Sequence, residues 1–273
     1  MNTRFLQELE EKKILVAAHR GTYGGNVIEN TYLSSIVALA SGADIVEIDA
    51  VRSADGVLYA FHDGEEERRF GITTNLRNLS SKEIENLEYL NIIGEKSGEH
   101  IWKLYDLLKA LKGKGLINLD RAWDYLDEVF KIIKELQMED QIIIKTHPTE
   151  EAFKYFKNSE TKLMYMPIAR KKEDIFKFIH PEINMVAVEI LFTDKGDEII
   201  EDEFLKSLAE KNIKIWANAI TLGGYEKHNL SAFQDDNDSL LNNGAGWSWL
   251  IDKKIDIIQT DWPYLLKMHI NKK

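Results

Sequence analysis

The sequence predicts an α/β fold: a single (β/α)8 barrel occupying residues 1–273 as one domain. Three observations lead there. Eight short apolar, β-branched runs recur along the chain, and segments of helical spacing separate most of them. No Gly-rich G-x-G-x-x-G turn follows the first run, which sets aside an open dinucleotide-binding sheet. Strands of near-continuous apolar character, each followed by a helix, imply a parallel sheet covered by helices.

In order, the runs are "ILVAA" (14–18), "DIVEIDAV" (44–51), "GLINLD" (115–120), "QIIIKT" (141–146), "KLMYM" (162–166), "MVAVEI" (185–190), "IKIWAN" (213–218) and "IDIIQTD" (255–261). Helical spacing, with apolar residues near i, i+3 and i+4, marks "ENTYLSSIVALASG" (29–42), "AWDYLDEVFKIIKEL" (122–136) and "EDEFLKSLAEKN" (201–212). A ninth extended run, "VLYAFH" (57–62), has no helix ahead of it. "SADG" (53–56) is turn chemistry, so residues 44–62 read as a long second barrel strand that overshoots the mouth and returns as a hairpin extension. No repeat, low-complexity run or linker marks a domain boundary.

Composition narrows the chemistry. A net charge of −11 disfavours nucleic acid as a partner. No apolar run approaches the roughly 20 residues of a membrane span, so stable membrane insertion is not expected. The opening "MNTRFLQELEEKK" is too charged to resemble a secretory leader, and the expected location is the cytoplasm. The absence of cysteine excludes disulfides, thiolate catalysis and Cys-type zinc sites. Any metal must use carboxylate or His ligands, which favours Mg, Ca or Mn. Nothing in the sequence sets an oligomeric state.

The stretch "DIVEIDAVRSADGVLYAFHD" (44–63) places two acids in an apolar strand. Glu47 and Asp49 share one strand face, and Val46 and Ile48 share the other. The apolar pair faces the helices, so the acids point into the upper barrel. A hairpin turning on residues 53–56 sets Glu47 roughly opposite His62 across the pair. Two carboxylates so close repel unless a cation or a shared proton neutralises them. Other strand ends bring His19, Arg20, Asp120, Arg121, Lys145, Trp216, Asn218 and Asp261 to the same C-terminal rim, where barrel active sites form.

On these residues the chain resembles the glycerophosphodiester phosphodiesterases. Their N-terminal signature is H-R-G, E-N-T, E-x-D, D-G and H-D, carried here by "AHRGTYGGNVIENTYLSSIVALASGADIVEIDAVRSADGVLYAFHD". "IWANAI" and "IDIIQTDWPYLL" are similar to the family's late strands, whereas the middle of the chain is less alike. The resemblance implies metal-dependent hydrolysis of a small glycerophosphodiester to glycerol 3-phosphate and an alcohol such as choline or ethanolamine. In the family the glycerol 2-hydroxyl attacks first and water opens the cyclic phosphate.

It further implies one divalent cation, Mg or Ca, on Glu47, Asp49 and Asp120. The family's E-x-K is here Asp120-Arg121-Ala122, which leaves Lys145 either to supply the missing cation to the phosphate or to form a rim salt bridge. His19 and His62 match the general base and acid pair. Arg20 is expected on a phosphoryl oxygen or on a carboxylate such as Glu29. Trp216 is expected beside the substrate or packed in the barrel interior. Glu29 would orient a ligand or His19, Asn30 would cap the following helix, and Asp63 would orient His62 or the hairpin. The connection 221–246 is expected to cover the mouth, its "DDND" being part of a calcium-loop pattern without the rest. "GEEERRFG" (64–71) and "GEKSGE" (94–99) read as solvated loops.

Two other readings share the architecture. One is a phospholipase C- or D-like enzyme on lipid diesters, which needs an exposed apolar rim. The other is a non-catalytic barrel that binds glycerophosphate, for which the altered Asp120-Arg121-Ala122 motif speaks.

Overall fold

A computed structural model describes residues 2–222 and 229–272. Its strands are β1 (Leu15–Ala18), β2 (Ile45–Arg52), β3 (Leu58–Ala60), β4 (Glu88–Leu90), β5 (Lys96–His100), β6 (Leu116–Asp120), β7 (Ile142–Thr146), β8 (Met164–Ala169), β9 (Ala187–Ile190), β10 (Lys214–Asn218) and β11 (Ile257–Thr260). All eight runs expected as barrel strands are present. β1, β2 and β6 to β11 pair in parallel in that order, and β1 pairs with both β11 and β2, which closes the ring.

Alternation along each strand sorts the side chains. Val46, Ile48, Ile117, Leu119, Ile142 and Ile144 pack outward under the helices in one core cluster, and Val188, Ile190, Ile215, Ala217 and Ile258 do so in a second. The inward residues at the lower end, including Leu15, Ile45, Leu116, Ile143, Trp216 and Ile257, form a separate apolar floor. Phe5 and Leu9 of the helix Thr3–Lys12 plug it from below. Two residues further along six of the eight barrel strands the inward positions turn polar, with Glu47, Asn118, Lys145, Glu189, Asn218 and Gln259 all buried, while Ala17 on β1 and Met166 on β8 stay apolar. A layer of polar and charged side chains on an apolar floor is the platform on which the site stands.

β2 runs on past the ring and pairs antiparallel with β3, Ala50 facing Ala60 and Arg52 facing Leu58. The predicted hairpin is present, but its register corrects the expected Glu47–His62 pairing. Ser53 N–H donates to Val57 O at 2.9 Å and closes a loop of Ala54, Asp55 and Gly56, one residue longer than a two-residue turn. Gly56 accommodates this with φ 93°. Phe61 N–H then donates to Asp49 O at 3.1 Å, so His62 rises beside Asp49 instead of opposite Glu47.

Both supposed solvated loops are structured. Residues 64–71 hold the helix Glu66–Phe70, fastened by the Glu66 carboxylate, which accepts the N–H of Gly64 at 2.6 Å and of Leu76 at 2.9 Å. Residues 94–99 enter β5, antiparallel to β4. Of the connection 221–246, expected to cover the mouth, residues 223–228 lie outside the described residues, and the rest includes the helix Asp236–Leu241 with Asp236 and Ser239 buried. Its "DDND" is no calcium loop: the Asp235 side chain caps that helix by accepting the Asp238 N–H at 2.9 Å.

Candidate active site

Glu47 and Asp49 point into the barrel from β2, and Asp120 stands at the end of β6, in register with Asp49. Their carboxylates offer oxygens that all lie within 4.8 Å of one another. Burial comes first, then Asp49 and Asp120, in pushing the Glu47 carboxyl well above the ordinary carboxylate range, against Lys145 and Arg20. Burial also works to raise Asp49, but Arg20, His62, the Asn30 hydrogen bond and His19 outweigh it and hold Asp49 low. Such crowding of acids is the electrostatic signature of a site short of positive charge. An all-oxygen donor set with no sulfur or imidazole in it suits a hard divalent cation.

Two fixed cations flank the trio. Lys145, buried on β7, places Nζ 2.6 Å from Asp120 and 3.0 Å from Glu189. Burial would strip its proton; Asp120, Glu189 and Glu47 reverse that and hold the ammonium charged. Arg20 has φ 54° at the exit of β1. Its backbone N–H donates to Glu47 Oε2 at 2.8 Å, while its guanidinium lies 3.1 Å from Glu29 and 3.3 Å from Asp49. Of the two readings for Arg20, the carboxylate partnership is therefore present.

The imidazoles sit on either side. His19 Nδ1 lies 2.9 Å from Asp261 Oδ1, which leaves Nε2 as the nitrogen without that partner. His62 Nδ1 is buried with no hydrogen-bond partner among the described residues. Burial lowers the His62 pKa, Asp49 and Glu65 oppose it, and Arg20 and Arg121 reinforce it, with a net shift downward.

Several expected roles change. Asn30 does not cap the helix Tyr32–Ala40; Thr31 does, accepting the Ser34 N–H at 3.2 Å. Asn30 instead clasps Asp49, its Nδ2 donating to Oδ2 and its Oδ1 accepting the Asp49 N–H, both at 2.9 Å. Glu29 touches neither His19 nor the acid trio, and its buried carboxylate binds Arg20, Arg68 and Arg69. Asp63 keeps the second of its two expected roles, pairing with Arg121 at 2.6 Å and Arg77 at 2.8 Å, and so ties the hairpin to the loop after β6. Trp216 is fully buried in the floor cluster, the second of its two expected places, with Nε1 donating to Asn218 Oδ1 at 3.0 Å and the Lys145 ammonium 5.9 Å from its ring centre.

Glu189 was not anticipated. "MVAVEI" carries it at an inward position, yet as a lone acid in an apolar run it gave no sign of its partners. Asn218 donates to it from β10 and Lys145 pairs with it from β7, so it bridges strands on both sides.

A model described as the glycerophosphoryl diester phosphodiesterase family matches residues 19–188. The chain belongs to that family. A second model, described as a domain of unknown function, matches residues 165–270. A glycerophosphodiester phosphodiesterase of Caldanaerobacter subterraneus subsp. tengcongensis is 32% identical over 142 residues, covering 49% of this chain and 58% of that protein. The barrel is shared with a glycerophosphoryl diester phosphodiesterase of Parabacteroides distasonis at TM-score 0.77 and 19% identity, over 95% of this chain and 86% of that one. It is shared as well with an Oleispira antarctica phosphodiesterase solved with the product sn-glycerol-3-phosphate, at TM-score 0.69 and 16% identity, over 94% of this chain and 96% of that one. Within this phosphodiesterase family, the region matched from His19 onward contains Glu47, Asp49, His62, Asp120 and Lys145.

Proposed function

We propose that residues 1–273 form one catalytic domain that hydrolyses small glycerophosphodiesters to glycerol 3-phosphate and an alcohol. The observation that carries this reading is the convergence of Glu47, Asp49 and Asp120 within 4.8 Å at the rim, beside His19 and His62. Family membership supplies the diester, and the product bound to the Oleispira antarctica relative is the product expected here.

Glu47, Asp49 and Asp120 would hold one divalent cation, Mg or Ca. When bound, that ion polarises phosphoryl oxygens and lowers the pKa of a hydroxyl or water. Arg20 and Lys145 supply fixed positive charge to the phosphoryl group, their positions already set by the carboxylates that grip them. Asp261 holds the Nδ1 side of His19, directing Nε2 to proton transfer.

In the first step the glycerol 2-hydroxyl oxygen bonds to phosphorus as the bond from phosphorus to the alcohol oxygen breaks. One imidazole takes the hydroxyl proton and the other gives a proton to the departing alcohol. Water then adds to the cyclic phosphate with the two imidazoles in exchanged roles, the ring bond to the 2-oxygen breaks, and glycerol 3-phosphate leaves. Glu47→Gln is expected to lose both the divalent ion by metal analysis and at least a hundredfold of glycerophosphocholine turnover, the order of a general acid–base or metal contribution. Full activity in that variant ends this reading.

A second reading keeps the chemistry and moves it to a lipid surface. Ile92 and Ile93, at the turn between β4 and β5, are each 73% exposed, and Ile92 N–H donates to Gly25 O in the loop that follows His19. Faster turnover of vesicle-borne diesters than of glycerophosphocholine, lost in Ile92→Ser/Ile93→Ser, would favour it. Among the described residues no helix is long and apolar enough to cross a membrane.

A further inference from the structure

Asp236 is a buried acid that the scheme above leaves unused. It is 2% exposed and lies on the helix after β10, far in sequence from the acid trio. Its carboxylate accepts three hydrogen bonds. Oδ1 takes the Thr260 hydroxyl at 2.7 Å and the Trp247 indole N–H at 2.8 Å, and Oδ2 takes the Asp261 backbone N–H at 2.8 Å. The Thr260 hydroxyl in turn accepts the Trp262 N–H at 2.9 Å. Residues 260–262 are therefore held as a unit by one side chain.

The middle residue of that unit is Asp261, whose Oδ1 lies 2.9 Å from His19 Nδ1. His19 N–H also donates to Thr260 O at 3.1 Å, so the backbone and the ring of His19 both rest on the pinned segment. Asp236 itself is anchored, its N–H donating to Ala219 O just beyond β10. Burial pushes its carboxyl up to about 7, with Asp261 adding to the effect against the hydrogen bonds. An acid kept where burial opposes its charge is costly unless its geometry is needed.

We propose that Asp236 is a positioning residue that sets the His19 imidazole through Asp261. This rests on the reading that His19 moves protons during diester hydrolysis. Asn at 236 has one accepting oxygen and one donating NH2, so it cannot accept on both sides, and either the Asp261 N–H or the Trp247 and Thr260 donors lose their partner.

The test uses the full chain as wild type, Asp236→Asn, Asp261→Asn and the double variant, with glycerophosphocholine as substrate. Asp236→Asn should lower kcat by about 10- to 100-fold with KM within about twofold, below the full general acid–base contribution. The double variant should be no slower than Asp261→Asn within about threefold, because both changes act on one link. The downfield proton resonance of His19 Nδ1–H, assigned by its absence in His19→Gln, should shift or vanish in Asp236→Asn. Losses that multiply in the double variant, or an unmoved resonance, overturn the proposal. Should Asp236→Asn fail to fold, Thr260→Val removes the hydroxyl that joins Asp236 to the Trp262 N–H, keeps the Asp261 N–H bond to Asp236, and must show the same non-additivity with Asp261→Asn. A wild type that turns over no diester sinks the hydrolytic reading, and the resonance comparison still decides the link from Asp236 to His19.

Discussion

Glu29 shows what a single residue does here. Its carboxylate is 1% exposed and meets three guanidiniums, from Arg20, Arg69 and Arg68. Burial alone would raise its pKa; the arginines outweigh burial and hold it at about 2. Relative to an ordinary value of 4.5, the shift corresponds to about 3 kcal/mol at roughly 1.36 kcal/mol per unit. A lowered carboxylate pKa gives stability that is full above about pH 4.5 and is lost as pH falls through about 2. In denaturant unfolding, Glu29→Gln should therefore be about 3–5 kcal/mol less stable than wild type at pH 6, the cost of leaving buried guanidiniums without their partner. The gap should narrow steadily between about pH 4.5 and pH 2. A gap that stays constant over that range would show that Glu29 does not carry its charge in the folded protein. The residue was legible as part of E-N-T; two of its partners were not. Arg68 and Arg69 lie 39 and 40 positions away, in a stretch whose charges read as a solvated loop.

Among the elements, the strands were the most legible, because a period of two shows directly which residues point inward. That period placed Glu47 and Asp49 on the barrel's inner face before any tertiary information. The hairpin was legible in kind and off by one in register, since its composition does not separate a two-residue turn from the three-residue loop that Ser53 and Val57 close. The exit of β1 has a stricter local requirement. Arg20 and Gly21 take consecutive positive φ values of 54° and 78°, and a Cβ on Gly21 would stand 2.7 Å from the Ser34 carbonyl carbon and hydroxyl. Gly21→Ala should cost about 2–3 kcal/mol of stability by thermal unfolding, from left-handed strain and the clash. It should also reduce turnover, since the Arg20 N–H that meets Glu47 at 2.8 Å must move with the turn. A variant with wild-type stability would mean that the helix Tyr32–Ala40 yields freely to the added methyl group.

For the whole molecule the controlling fact is closure. β1 pairs with β2 on one side and β11 on the other, so residues from opposite ends of the chain share one rim. Closure brings Asp261 to His19 across 242 positions. It also gathers three acids whose mutual repulsion, with burial, keeps the Glu47 carboxyl raised despite Lys145 and Arg20. A cation bound there should stabilise the fold by linkage, about 2.7 kcal/mol at one hundred times its dissociation constant. In a chain of this size that corresponds to a rise in Tm of roughly 5–10 °C, taking about 2–4 °C per kcal/mol. Thermal melts in chelator and then in excess Mg or Ca should show the rise in wild type and none in Glu47→Gln. An equal rise in both would place cation binding elsewhere on a surface of net charge −11.

The sequence by itself determined the barrel, its eight strands, the hairpin and the inward acids, because these follow from local periodicity and from motifs whose spacing is short. Only the tertiary structure decided who partners whom: Asn30 with Asp49 and not with a helix end, Asp63 with Arg121 and Arg77, Lys145 shared between Asp120 and Glu189, and Asp236 behind Asp261. Charge pairs between distant segments leave no periodic trace. A buried acid takes the donors that chain closure sets beside it, and sequence alone does not record that distance.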